Sequence, residues 1–173
     1  MLKVLGFAAA LALAAPLAVQ AQTSGINDAQ IAHIAYTAGA IDVAAGKQAL
    51  AKSQNKSVRD FAQEMVRDHT AVNEQAVALV KKLHVTPQDN PTSQALSKDA
   101  AAKLKAHAAL KGPAFDRAYL ANEVAFHKTV NGALSKTLIP NAKNAELKSL
   151  LQTGLKLFTD HQAHAEQLVA SYR

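Results

Sequence analysis

Apolar residues recur along this chain at alternating steps of three and four, the spacing of one face of an α-helix. In one stretch the seam runs Ala62, Met65, His69, Val72, Ala76, Leu79 and Leu83. Near the C-terminus it runs Leu147, Leu150, Gly154, Leu157, His161, His164 and Leu168. A third seam carries Phe115, Tyr119, Glu123, His127, Val130 and Leu134, and a fourth Ile31, Ala35, Ala38, Asp42, Ala45 and Ala49. No stretch alternates with period two for long enough to read as a strand. Punctuation sets the limits. Asp28 is suited to cap a helix over 28–53, and Ser57 a second over 57–83. Pro87, Asp89, Asn90 and Pro91 predict a loop at 84–93. A shorter helix is expected at 94–111, a fourth from Pro113 to about 138 and a last one over 143–171. Seams this long predict an all-α fold: an antiparallel four-helix bundle of two hairpins joined through the shorter helix.

The residues before the first seam read differently. Lys3 precedes an apolar run from Val4 to Leu17, and Val19-Gln20-Ala21 offers small residues where a signal peptidase cuts. The run is about 14 residues against the roughly 20 that span a bilayer. Residues 1–21 are therefore expected to be a cleaved secretory signal. Residues 22–173 are then a single helical domain, soluble in the periplasm or outer envelope. Cysteine and tryptophan are absent, which excludes thiolate metal sites, disulfides, a lipid anchor on Cys and tryptophan stacking platforms. Lys and Arg number 19 against 13 Asp and Glu. In an exported protein this excess predicts no nucleic acid as partner. It fits an anionic envelope polymer or lipid surface instead.

The informative residues are polar ones on buried seams. Asp42, His69, Glu123, His127, His161 and His164 all fall on inward stripes. At 1.5 Å per residue, counted from the turns, Asp42 and His69 come to similar heights, and Glu123 and His161 to within a turn. Glu123 and His127 are four apart, and His161 and His164 three apart, so each pair shares a face. Such imidazoles and carboxylates suit Zn, Mn, Fe or Cu. The same layer is equally suited to a metal-free set of hydrogen bonds that fixes helix register. Within the metal reading, His69, Glu123, His127 and His161 form the core, with Asp42 and His164 peripheral. Asp68 and Asp160 precede His69 and His161 and are candidates to orient them. Asp68-His69 and Asp160-His161 also mark a faint internal repeat. His33, His84 and His107 lie off the seams or at helix ends and read as non-functional. No Glu-x-x-His is present, and the set holds more His and less Glu than an iron-oxidising di-iron centre uses. Nucleophile-elbow, phosphate-loop and His-Glu-x-x-His motifs are absent as well. The chain reads as non-catalytic.

Gly46-Lys47-x-Ala49, Val58-Arg-Asp-Phe61-Ala-x-x-Met65-Val-x-Asp68-His69 and Gly112-x-x-Phe115-Asp116-x-x-Tyr119 are the most distinctive strings. With His127 and Asp160-His161, they resemble a bacterial exported family called domain of unknown function 4142, over residues 28 to 170. That resemblance implies a ferritin-like bundle in the periplasm or outer envelope and no stated activity. Relatives often carry Glu near Asp42, so the shorter carboxylate here is expected to fall short of direct contact. Two functions follow: binding, buffering or sensing a divalent transition metal through the His/Glu layer, or an envelope stress or interaction module acting through the basic surface. A dimetal oxidase is a third.

Overall fold

A computed structural model describes residues 25–172. The expected signal at 1–21 and its cleavage point lie outside these. The described residues are helical throughout, with no strand among them. The helices are α1 (Asp28–Lys52), α2 (Lys56–Lys82), α3 (Pro91–Ala108), α4 (Gly112–Ala133), α5 (Ile139–Asn141) and α6 (Ala145–Ser171). A π turn, Leu134–Leu138, joins α4 to α5. None is long and apolar enough to cross a membrane.

Asparagine starts four of these helices. Asn27, Asn55, Asn90 and Asn144 each accept a hydrogen bond from a first-turn backbone N–H, satisfying a donor the helix itself leaves free. Asp28 and Ser57, expected as caps, instead lie inside the first turns. Asp28 has another task. Its carboxylate accepts from the backbone N–H groups of Lys143 and Asn144, both at 2.8 Å, tying the start of α1 to the start of α6. The shorter helix starts at Pro91 rather than 94, because Asn90 caps it and Pro91 is pre-set for a first turn. Pro140 lacks the N–H that would bond the Lys136 carbonyl, and the chain widens to a π turn just before it.

Helix α1 packs along α2, and α4 along α6; α1 also meets α4, α2 meets α6, and α3 lies against α1. At Gly46 the backbones of α1 and α2 are very close. An added Cβ would sit 2.9 Å from Val66 Cγ2 and 3.0 Å from the Ala62 carbonyl oxygen. Two apolar cores result. One gathers Ile31, Ile34, Val130, Leu134, Leu147, Leu151 and Phe158 at the end where α1 begins. The other gathers Val58, Phe61, Met65, Phe115, Tyr119 and Leu120 at the opposite end. The polar layer lies between them.

On the seams, Met65 and Tyr119 are buried, as is Phe61 next to the α2 seam, whereas Leu79, Leu150 and Leu157 are only partly so. On α6 the buried line is Leu147, Leu151, Gly154, Phe158, His161 and Ala165. Leu150, Leu157 and His164 turn off it. Phe61→Ala should therefore cost about 3–5 kcal/mol and Leu151→Ala about 2–5 kcal/mol in denaturant unfolding. Leu150→Ala should cost clearly less than Leu151→Ala. Equal losses at 150 and 151 would show that the buried line of α6 is wrong.

Candidate functional site

Asp42 from α1, His69 from α2, Glu123 and His127 from α4 and His161 from α6 meet in the layer between the cores. None is more than 2% exposed. Their seams bring them there. Each replaces an apolar residue at a position whose neighbours one turn away are packed inward. The three imidazole centroids lie 5.3 to 5.6 Å apart. One nitrogen from each falls within 4.8 Å of the others, and Asp42, Glu123 and His127 form a second such trio. His127 belongs to both.

Hydrogen bonds decide which nitrogens are free. His127 Nδ1–H donates to the Glu123 carbonyl at 3.0 Å, so its Nε2 carries the lone pair. His161 Nε2–H donates to Asp68 Oδ2 at 3.0 Å, leaving Nδ1 as its lone-pair nitrogen. Both of these nitrogens are buried without a partner, as are both nitrogens of His69. His69 Nε2 lies 3.4 Å from Asp42 Oδ2, and Phe158 stacks on its ring at 4.5 Å. Neither Glu123 carboxylate oxygen accepts a well-formed hydrogen bond, and the donors beside it are the Asn122 side chain and Asp42 in its protonated form. Buried polar atoms are normally paired, because each orphan carries its full desolvation cost. So many in one layer is unusual.

Electrostatics follow from burial. Loss of solvent pulls His69 down to about 2 and His127 to about 4, with the neighbouring imidazoles adding to the effect. Burial also lowers His161, against the pull of Asp68. It raises the carboxyls of Asp42 and Glu123, and on Asp42 the charge of Glu123 adds to the rise. Tyr119, whose hydroxyl is buried and unpaired, is raised by burial and then by Glu123 and Asp42. At neutral pH the layer thus offers three neutral imidazoles facing an acid pair. A divalent cation accepts lone pairs from the first and neutralises the second.

Asp42, expected at the periphery, is central: the shorter carboxylate reaches the layer because Gly39 and Gly46, on either side of it on α1, let α1 approach α2. His164 is the reverse. Its side chain is 42% exposed, and its Nδ1 lies 2.8 Å from Glu64 Oε2, on the outer face. The internal repeat is not mirrored in the contacts, since Asp68 reaches across to His161 while Asp160 stays exposed. Arg67 holds the Asp68 carboxyl below its ordinary range, keeping it ionised against His161. Glu64 was not singled out by the seams. It forms a third trio with Asp68 and His161, half-buried at the rim of the layer. Its signal was there to find, four residues before Asp68 on the same face of α2.

The family described as domain of unknown function (DUF4142) has a model that matches residues 12–168. The chain belongs to the DUF4142 family. No curated protein and no solved structure matches it. The DUF4142 match encloses all five residues of the layer and its Glu64–Asp68 rim.

Proposed function

We propose that this DUF4142 protein is an exported, ferritin-like four-helix bundle that binds a divalent transition metal. The ion is held by His69, His127 and His161, with Asp42 and Glu123 as the carboxylate side of the site. The observation that carries this reading is the set of orphaned lone pairs. One nitrogen from each of His69, His127 and His161 lies within 4.8 Å of the others beside two buried carboxyls, and Nε2 of His127, Nδ1 of His161 and both nitrogens of His69 have no hydrogen-bond partner. Imidazole and carboxylate donors favour Zn, Mn, Fe or Cu over Ca or Mg. The Asp68 carboxylate on His161 and the Glu123 carbonyl on His127 are the outer partners that orient ligating histidines. A layer buried on all sides suits retention of an ion, for buffering or sensing, better than turnover of a substrate.

Elemental analysis of untagged protein and thermal melts of chelator-treated protein test this. An ion binding only the folded chain at a hundredfold excess over its Kd stabilises it by about 2.7 kcal/mol. Zn, Mn, Cu or Fe should therefore raise the Tm by about 5 °C or more. The rise should disappear in a folded His69→Ala, His161→Ala variant. Identical melts with and without every ion would leave the layer as a hydrogen-bonded spacer. The basic surface would then become the functional element, led by the exposed lysines Lys98, Lys103, Lys105 and Lys111 on and just after α3. Its expected partner is an anionic envelope polymer or lipid.

A further inference from the structure

The apolar core at the α1 start is not filled. A cavity of about 300 Å³ runs between α1, α2, α4 and α6, continuing past the π turn. Its lining includes Ile34, Val72, Val80, Leu134, Leu150 and Phe158. Val72 and Leu150, both only partly buried, are on this lining. No lining residue is titratable, and the polar ones are Asn73, Thr92, Thr129 and Thr137. The three threonines are exposed. On α6 the walls extend from Leu147 to Phe158, roughly 16 Å at 1.5 Å per residue. The space is elongated along α6. The π turn shapes one wall, since Leu134, Thr137 and Leu138 all lie on it and on the lining. Such turns cluster at functional sites.

We propose that this cavity takes one linear hydrocarbon chain, of the kind carried by a fatty acid or fatty alcohol, with its head group towards the exposed threonines. Walls without charge exclude a buried ionic group. A dry apolar cavity costs its lining the contacts it lacks, and an apolar guest restores them. The volume is at the lower end of the range for ligand pockets, which fits a single chain. The site is separate from the metal reading, although Phe158 forms the wall between cavity and His69.

The test uses the full purified chain after chelator treatment, so that its outcome is independent of any ion. 1-Decanol and decanoate are titrated separately by calorimetry and thermal melting. Saturable one-to-one binding of either, with a Tm rise of about 5 °C at hundredfold excess over Kd, is expected. Binding of both assigns the chain with its head in solvent; decanol alone assigns an uncharged head. Ala35→Phe and Ala133→Phe, which fill the cavity from α1 and α4, should each weaken binding at least tenfold while melting cooperatively. Should neither variant fold, methyl NMR of the wild type decides: chain protons of the probe must contact methyls of Leu134 and Leu150. No saturation by either probe, or unchanged binding in both folded variants, overturns the proposal. So do contacts from residues 1–24 to the same methyls in the ligand-free chain, which assign the cavity to the protein's own N-terminal segment.

Discussion

Metal-free Glu123→Met protein should melt at a higher temperature than metal-free wild type, and no ion should raise it further. Glu123 is fully buried, and neither carboxylate oxygen accepts a well-formed hydrogen bond. Met has nearly the same length, fills the same volume and carries no group to desolvate. Burial keeps Glu123 protonated at neutral pH, and replacing a poorly paired buried polar group by an apolar one of similar shape is near neutral or stabilising, here by about 1 kcal/mol. Loss of Glu123 also removes one of the two carboxyls facing the imidazoles. The remaining three histidines and Asp42 bind an ion with less charge to offset, so the stabilisation by Zn, Mn, Cu or Fe should collapse. A hydrogen-bonded spacer layer predicts the opposite sign. There Glu123 would be a satisfied partner, and its removal would cost about 3–5 kcal/mol by leaving others unpaired. A metal-free Glu123→Met protein that melts well below wild type would sink the metal reading.

The layer was legible because polar residues on an apolar seam are conspicuous. Asp42, His69, Glu123, His127 and His161 were all placed inward from spacing alone, and all are buried. Height was legible too, since α-helical rise converts residue counts from a turn into distance. The rotation of α6 was not. Leu150 and Leu151 are both leucine, and Leu157 and Phe158 are both apolar, so steps of three-four and four-three fit the hydrophobic pattern equally. Packing against α4 selects Leu151 and Phe158, and the same small turn moves His164 outward to Glu64. Glu64 escaped because its partners are His161 and His164, about a hundred residues away on another helix. A seam reading sees one helix at a time. The cavity escaped for a related reason: the pattern says which residues face inward, not whether the space between them is filled.

Acid should weaken the metal-free protein, and mild alkali should weaken it as well. The acid limb comes from the histidines. Unfolded imidazoles titrate near 6.5, whereas burial pulls folded His69 to about 2 and His127 to about 4, and lowers His161. Below pH 6.5 the unfolded chain takes up protons that the folded chain refuses, so stability present above 6.5 is lost as pH falls. Asp42 and Glu123 act in the other direction. Burial raises both, so the folded state retains protons that the unfolded state releases above about pH 4, and stability falls as pH rises towards their folded values. Between pH 6.5 and 5 the unfolded imidazoles fill progressively, so three histidines outweigh two acids by about half a proton on average, a net loss on acidification of about 1 kcal/mol. Above neutrality only the acids remain, and the trend reverses. Urea midpoints of the metal-free chain should accordingly peak near pH 6–7 and fall on both sides. A bound ion changes both limbs. It holds the carboxyls ionised in the folded state, so the alkaline loss disappears and the acid limb steepens as the acids stop opposing the histidines. A metal-free midpoint that stays flat from pH 5 to 9 would mean that these five groups are not buried together.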